Sequence, residues 1–210
     1  MTSFVDALPL DRRPLMIAIT GPNGAGKTSL YRAYFQDLDL PYVNADDLAR
    51  ELDAAPYEAA ALAAQARTAL VDDRESFIFE TVFSDPAGEK LAFLRDAVTR
   101  DYTVVLLFIG LADADQSEAR VAQRVATGGH DVPTEKLTAR FPRTLENLRR
   151  ALRELPYVVM YDNSDTTRPF EPVAMFVDGS RVSVGERVPT WARALVKPQQ
   201  QLPARGRNPQ

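Results

Sequence analysis

The sequence predicts an α/β fold: a mainly parallel five-stranded sheet with helices on both faces, followed by a C-terminal β-hairpin. Three observations carry this reading. Apolar runs of strand length alternate with segments of helical spacing along most of the chain. The first apolar run ends in a glycine-rich turn that opens a helix. After Asp165 the alternation stops, and two short runs flank Asp178-Gly179, a residue pair suited to a tight hairpin turn.

The elements follow in order. Leu15 to Thr20 (LMIAIT) is a short apolar run and reads as a buried strand. Ser29 to Leu38 reads as a helix, and Pro41 to Asn44 as a short second strand. Asp46-Asp47 can then cap a helix over Leu48 to Leu52. The alanine-rich stretch Tyr57 to Val71 has strong helix propensity. Phe77 to Phe79 is a third strand. Lys90 to Arg100 has apolar residues at Leu91, Leu94, Ala97 and Val98, a helical spacing. Thr103 to Ile109 is apolar at almost every position and is the clearest strand. Ser117 to Ala126 reads as a helix stopped by Gly128-Gly129. Thr134 to Leu155 is helical again, with Pro142 expected to kink or break it. Tyr157 to Tyr161 is the fifth strand. Met175 to Val177 and Arg181 to Val184 form the hairpin, and Thr190 to Val196 a short terminal helix.

Length and composition bound the rest. The 210 residues suit one domain, expected over residues 1–196, with a polar, proline-bearing tail at 197–210 expected to be disordered. Hydrophobic residues make up 45%, enough for a sizeable core. The net charge of −4 argues against nonspecific nucleic-acid or membrane partners. The absence of cysteine excludes disulfides, zinc thiolates and thiol catalysis. No signal-peptide pattern opens the chain, and no apolar run is long enough to span a bilayer, so a cytoplasmic location is expected.

The segment Gly21-Pro22-Asn23-Gly24-Ala25-Gly26-Lys27-Thr28 matches G-x-x-x-x-G-K-[ST], the P-loop of nucleoside triphosphate-binding proteins, with Ser29 next in line. The glycines let the backbone curl so that successive amides point at phosphate oxygens. The helix that follows aims its positive end at the same anion. Lys27 is expected on the β- and γ-phosphates of ATP, and Thr28 on magnesium.

In α/β sheets the working groups gather at the carboxyl ends of strands. Asp46 stands at such an end and is a candidate general base for a hydroxyl acceptor. The same residue type is also a preferred helix cap, and spacing leaves the two readings open. Glu80-Thr81 ends the third strand. Glu80 can hold substrate hydroxyls or a magnesium-bound water, against the plainer reading of a loop or capping charge. Arg120 with Arg124, and Arg140 with Arg143, are spaced to share helix faces. Between them lies the turn-rich Gly128-Gly129-His130 segment, where a phosphoryl transferase carries its lid. Arg149, Arg150 and Arg153 read as solvated helix charges. His130, the only histidine, reads as a polar loop contact and not a metal ligand.

In order, GPNGAGKTS, VNADDLAR, FIFETVFSD, RVAQRVATGGHDVP with RFPRTLENL, and YDNS resemble the zeta-toxin family of P-loop kinases, above all its short bacterial members. The likeness covers Leu15 to Ser164. It implies a kinase fold related to nucleotide and shikimate kinases, with strand order 2-3-1-4-5, and ATP and magnesium as cofactors. It implies phosphorylation of a sugar hydroxyl, the 3′-hydroxyl of UDP-N-acetylglucosamine in characterised members, and restraint by a small antitoxin. The family's general base falls on Asp46, its phosphate lysine on Lys27 and its substrate carboxylate on Glu80, beside Thr81. Its ATP-contacting arginines fall within Arg120, Arg124, Arg140 and Arg143, with Arg124 and Arg140 favoured. Two departures from long members are the short chain and Glu-Thr-Val where they tend to have Glu-Gly-Thr. Two alternatives stand beside this: a kinase of the same fold for a nucleoside or other small metabolite, and a non-catalytic nucleotide-dependent switch.

Overall fold

A computed structural model describes residues 2–126 and 132–197. The segment expected as a lid, with Gly128, Gly129 and His130, and the tail from residue 198 lie outside the described residues. In chain order the elements are α1 (Thr2–Val5), β1 (Leu15–Thr20), α2 (Lys27–Tyr34), β2 (Tyr42–Val43), α3 (Ala45–Glu51), α4 (Pro56–Asp72) and β3 (Phe77–Thr81). Then come α5 (Glu89–Thr99), β4 (Thr103–Gly110), α6 (Ala114–Ala126), α7 (Thr134–Glu154), β5 (Tyr157–Asp162), β6 (Glu171–Val177), β7 (Ser180–Val184) and α8 (Arg193–Val196). Single 3-10 turns follow α2 (Gln36–Leu38) and precede α8 (Thr190–Ala192).

The strands form one sheet in the order β2-β3-β1-β4-β5-β6-β7. The first five are parallel to one another, in the expected order. The sheet has seven strands and not five, because the C-terminal hairpin is not an appendage. β6 pairs antiparallel with β5, and β7 with β6. The physical reason is visible in β6, whose Val173, Ala174, Met175 and Phe176 are all buried. A run apolar on both faces belongs inside a covered sheet. The turn between β6 and β7 has positive φ at both Asp178 (47°) and Gly179 (74°), as the tightest hairpins require.

Every residue of β1 is buried. Alternation splits the strand between two cores. Met16 and Ala18 join Ala63 of α4, Leu91 and Leu94 of α5 and Leu148 of α7 on one face. Leu15, Ile17 and Ile19 join Phe4, Leu30 and Phe35 on the other. Pro142 does not break α7, which runs unbroken from Thr134 to Glu154. Proline removes the bond to the carbonyl of Thr138, and both residues are exposed, so water can satisfy that carbonyl. Among the described residues no helix is long and apolar enough to cross a membrane.

β4 ends at Gly110 against Trp191, whose indole N–H donates to Asp162 Oδ1 at 2.8 Å. A Cβ on Gly110 would lie 2.1 Å from the Trp191 ring. Gly110→Ala should therefore displace the indole and destabilise the fold by about 1–3 kcal/mol. Urea unfolding followed by the fluorescence of Trp191, the chain's only tryptophan, checks this.

Candidate active site

The carboxyl ends of β1, β2 and β3 and the helices after them enclose a cleft of about 990 Å³. From the P-loop, Asn23, Gly24, Gly26, Lys27, Thr28 and Ser29 line it. Gly21, Pro22 and Ala25 shape the loop from behind, with Ala25 fully buried. Lys27 opens α2 and is itself buried. Its ammonium donates to the carbonyl of Pro22 at 3.0 Å and more weakly to that of Gly21 at 3.4 Å. Burial holds its pKa below the ordinary lysine value, and the charges of Glu80 and Asp46 oppose that shift.

Glu80 leaves the end of β3 beside the loop. The Thr28 hydroxyl donates to its carboxylate at 3.0 and 3.1 Å, and the Tyr42 hydroxyl donates to it at 2.7 Å. Tyr42 is stacked on Tyr31 of α2, with ring centroids 3.6 Å apart. Thr28 and Glu80 thus present a hydroxyl and a carboxylate side by side. Hard oxygens of this kind suit magnesium, which takes few protein ligands and keeps phosphates and waters for the rest.

Asp46 and Thr81 open into the same cleft as Lys27 and Glu80. Asp46 is not the helix cap. Asn44 caps α3, its side-chain oxygen accepting the backbone N–H of Asp46 at 2.9 Å. Asp47 does not cap either and pairs with Arg50. Asp46 instead lies 3.7 Å from the guanidinium of Arg124 in α6.

Of the four arginines singled out from spacing, Arg120, Arg124 and Arg140 line the cleft. Arg143 does not, and its Nε donates to the carbonyl of Ala139 within its own helix. Arg149 pairs with Glu146 and Arg150 with Glu154, as solvated charges do. Arg120 braces the loop after β5, donating to the carbonyl of Asn163 at 2.5 Å. Asn163 in turn donates to the carbonyl of Ala25 at 2.8 Å, and Ser117 donates to that of Asn23 at 2.7 Å.

Sequence reasoning assigned no role to Tyr42, Asn44, Asn163, Arg67 or Lys90, all of which bear on this cleft. Asn163 stood in the YDNS motif, and Asn44 is a preferred cap type just before the acidic pair, so both carried a signal.

The family model for zeta toxin matches residues 45–172, more than half of the chain. The chain belongs to the zeta toxin family. The match starts after the P-loop, so the phosphate loop stands on its own motif and geometry. No curated protein matches the chain. Among solved structures, the AvrRxo1-ORF1:-ORF2 complex with ATP aligns with a TM-score of 0.64 at 18% identity, over 86% of this chain and 62% of that one. The zeta toxin family chain thus spans less than two thirds of that neighbour. The PezAT toxin–antitoxin system of Streptococcus pneumoniae aligns with a TM-score of 0.54 at 15% identity, over 87% of this chain and 76% of that one. A candidate kinase from Chloroflexus aurantiacus J-10-fl aligns with a TM-score of 0.53 at 20% identity, over 75% and 89%. These likenesses show the fold, a mainly parallel α/β sheet with helices on both faces.

The Tyr42–Glu80 contact gives a prediction with a sign. Burial first, then the charge of Glu80 and the hydrogen bond to it, raise the Tyr42 pKa well above its ordinary value of 10.0. The unfolded chain therefore loses this proton at lower pH than the folded one, so stability present below pH 10 is lost as pH rises beyond it. Tyr42→Phe should cost about 1.5–3 kcal/mol near neutral pH. The gap to wild type should narrow between about pH 9 and pH 11, in denaturant unfolding at each pH.

Proposed function

We propose that this zeta toxin family protein is an ATP-dependent phosphotransferase acting on a hydroxyl of a small-molecule acceptor. The observation that carries the reading is the convergence of Lys27, Thr28, Asp46 and Glu80 on one cleft. The P-loop amides and Lys27 hold the triphosphate, with Arg120, Arg124 and Arg140 around the phosphoryl group that moves. Thr28 and Glu80 would hold magnesium, which supplies positive charge at the phosphates. Asp46 takes the proton of the acceptor hydroxyl. The oxygen bonds to the γ-phosphorus as the bond to the bridging oxygen breaks, leaving ADP. The capping role that competed for Asp46 belongs to Asn44, which supports the reading of Asp46 as the base.

Family membership favours a sugar hydroxyl, with the 3′-hydroxyl of UDP-N-acetylglucosamine as the first acceptor to test. A nucleoside or other small metabolite is the second acceptor class, and a nucleotide-dependent switch the non-enzymatic reading. A small inhibitory partner is proposed by analogy with the toxin–antitoxin system among the structural neighbours. A cytoplasmic site of action follows from an ATP-dependent reading.

Two outcomes are expected. Lys27→Ala should strongly reduce ATP binding or turnover, read by nucleotide titration and ADP release. Unchanged affinity with unchanged turnover removes the reading. Asp46→Asn should keep ATP affinity while lowering acceptor-dependent turnover by about two to four orders of magnitude. The assay incubates the protein with ATP, magnesium and UDP-N-acetylglucosamine and looks for the added phosphate by mass. Product formed only with another acceptor discards the sugar nucleotide and keeps the kinase. No acceptor-dependent ADP release from any compound leaves the switch.

A further inference from the structure

Trp191, in the C-terminal segment, takes no part in the chemistry above. It stands in the 3-10 turn Thr190–Ala192 and is only 9% exposed. Its ring packs against Phe108 of β4, with centroids 5.7 Å apart. The place is the working rim of the sheet. Gly110 and Asp162, the last residues of β4 and β5, are paired there. The ring lies against Gly110, and the indole N–H reaches Asp162 Oδ1 at 2.8 Å. Ala192 and Val196 are buried in the same core cluster and anchor the segment to the sheet.

The same oxygen of Asp162 accepts the Ser164 hydroxyl at 2.7 Å. One carboxylate oxygen therefore ties the C-terminal segment to the loop after β5. The Ser164 carbonyl accepts from Gln116 at 2.6 Å, and the Asn163 carbonyl accepts from Arg120 at 2.5 Å. The Asn163 backbone N–H donates to the Gly110 carbonyl at 3.0 Å, and its side chain donates to Ala25 of the P-loop at 2.8 Å. Asp162 also acts on Arg120 by charge: burial lowers the arginine pKa, and the carboxylate opposes that shift. A half-buried carboxylate is costly unless donors meet it. The two donors differ in kind. A hydroxyl rotates to suit its partner, whereas an indole N–H is fixed with its ring. Packing alone asks only for an aromatic ring; the indole adds a donor of fixed direction.

We propose that Trp191 is a positioning residue for the nucleotide. Through Asp162 and Ser164 it sets the loop after β5, and with it the Asn163 and Arg120 contacts that hold the P-loop in its phosphate-binding curl. The inference rests on the P-loop holding ATP, as in the reading above, and stands alike for the kinase and for the switch. The route is a continuous chain of hydrogen bonds, the kind of connection that carries coupling between separated groups. It runs on the β4 and β5 side of β1, opposite to the flank of β3 that carries Glu80. Nucleotide affinity is therefore the property that Trp191 sets.

The test titrates a non-hydrolysable ATP analogue calorimetrically into the full chain with magnesium. Trp191→Phe keeps an aromatic ring and removes the N–H. It should weaken analogue binding by about threefold to tenfold, and Ser164→Ala should do the same. Both act through one oxygen, so the double variant should lose less than the product of the two losses. Val196→Ala is the control, an apolar truncation in the same segment. It should lower the unfolding temperature and leave analogue affinity within about twofold. In the wild type the fluorescence of Trp191 should shift on binding, and Ser164→Ala should blunt that shift. Unchanged affinity in either single variant, losses that multiply in the double variant, or an equal loss in Val196→Ala overturns the positioning role. If Trp191→Phe does not fold, Ser164→Ala decides, and a fluorescence shift that survives in it overturns the role. A wild type that binds no analogue removes the nucleotide reading and this inference with it. Wild-type binding that both variants match removes the inference alone.

Discussion

The cleft depends on β3 lying between β1 and β2. Parallel pairing sets Ile19 opposite Glu80 and Thr20 opposite Thr81, so β3 delivers its carboxylate at the level where the P-loop begins. Parity then chooses the face. Phe77 and Phe79 belong to one core and Ile78 to the other, so Glu80 emerges on the side of Ile78. That is the side of α2, which carries Thr28, and of Tyr42, which pairs with Ile78 in β2. The hydrogen bonds from Thr28 and Tyr42 to Glu80 are the product of this register. A slip of one residue would turn Glu80 to the opposite face and put Phe79 among the polar groups.

Charge is distributed as unevenly as shape. The chain carries −4 overall, yet seven lysines and arginines and only two carboxylates line the cleft among the described residues. A concave surface of one sign between low-dielectric walls concentrates the field at its mouth. An anionic ligand is thus drawn to the cleft and repelled by much of the remaining surface. The two carboxylates do not dilute this at random. Asp46 is met by Arg124, and Glu80 by the hydroxyls of Thr28 and Tyr42.

Most elements were legible because apolar runs of fixed length leave few alternatives in an α/β chain, and the sheet order was implied by the family resemblance alone. Where the reading missed, a local rule had met a tertiary one. Pro142 read as a kink or break, and the break does not occur, because its lost hydrogen bond falls on the exposed side of a helix whose other face is pinned by Leu148, Ala151 and Leu152. The hairpin read as an appendage, since spacing does not say which edge receives it. The unbroken run Val173 to Phe176 was the signal that both its faces are covered. In the site, the P-loop, Asp46 and Glu80 were legible because each sits where a strand ends. Arg67 was not, because a charge on a helix usually faces water. Its place in the Ala59, Ala63, Val71 stripe was the clue, and only the packing of Phe79 and Phe93 makes it meaningful.

The phosphate loop is braced from both flanks, and this explains its glycines better than flexibility does. On the β3 flank, Thr28 is tied to Glu80. On the other, Ser117 and Asn163 donate to the loop carbonyls of Asn23 and Ala25, and Arg120 fixes Asn163 by its own carbonyl. These braces leave no room for side chains. A Cβ on Gly24 would lie 2.9 Å from the Cβ of Arg120, and one on Gly26 would lie 2.8 Å from the Asn163 amide nitrogen. Both glycines also hold positive φ, at 73° and 90°. The curl that turns amides toward phosphate and the contacts that freeze the curl therefore impose the same residue. A loop fixed in this way meets its anion with little left to order, so the favourable charge of Lys27 and the helix end is not spent on arranging the backbone.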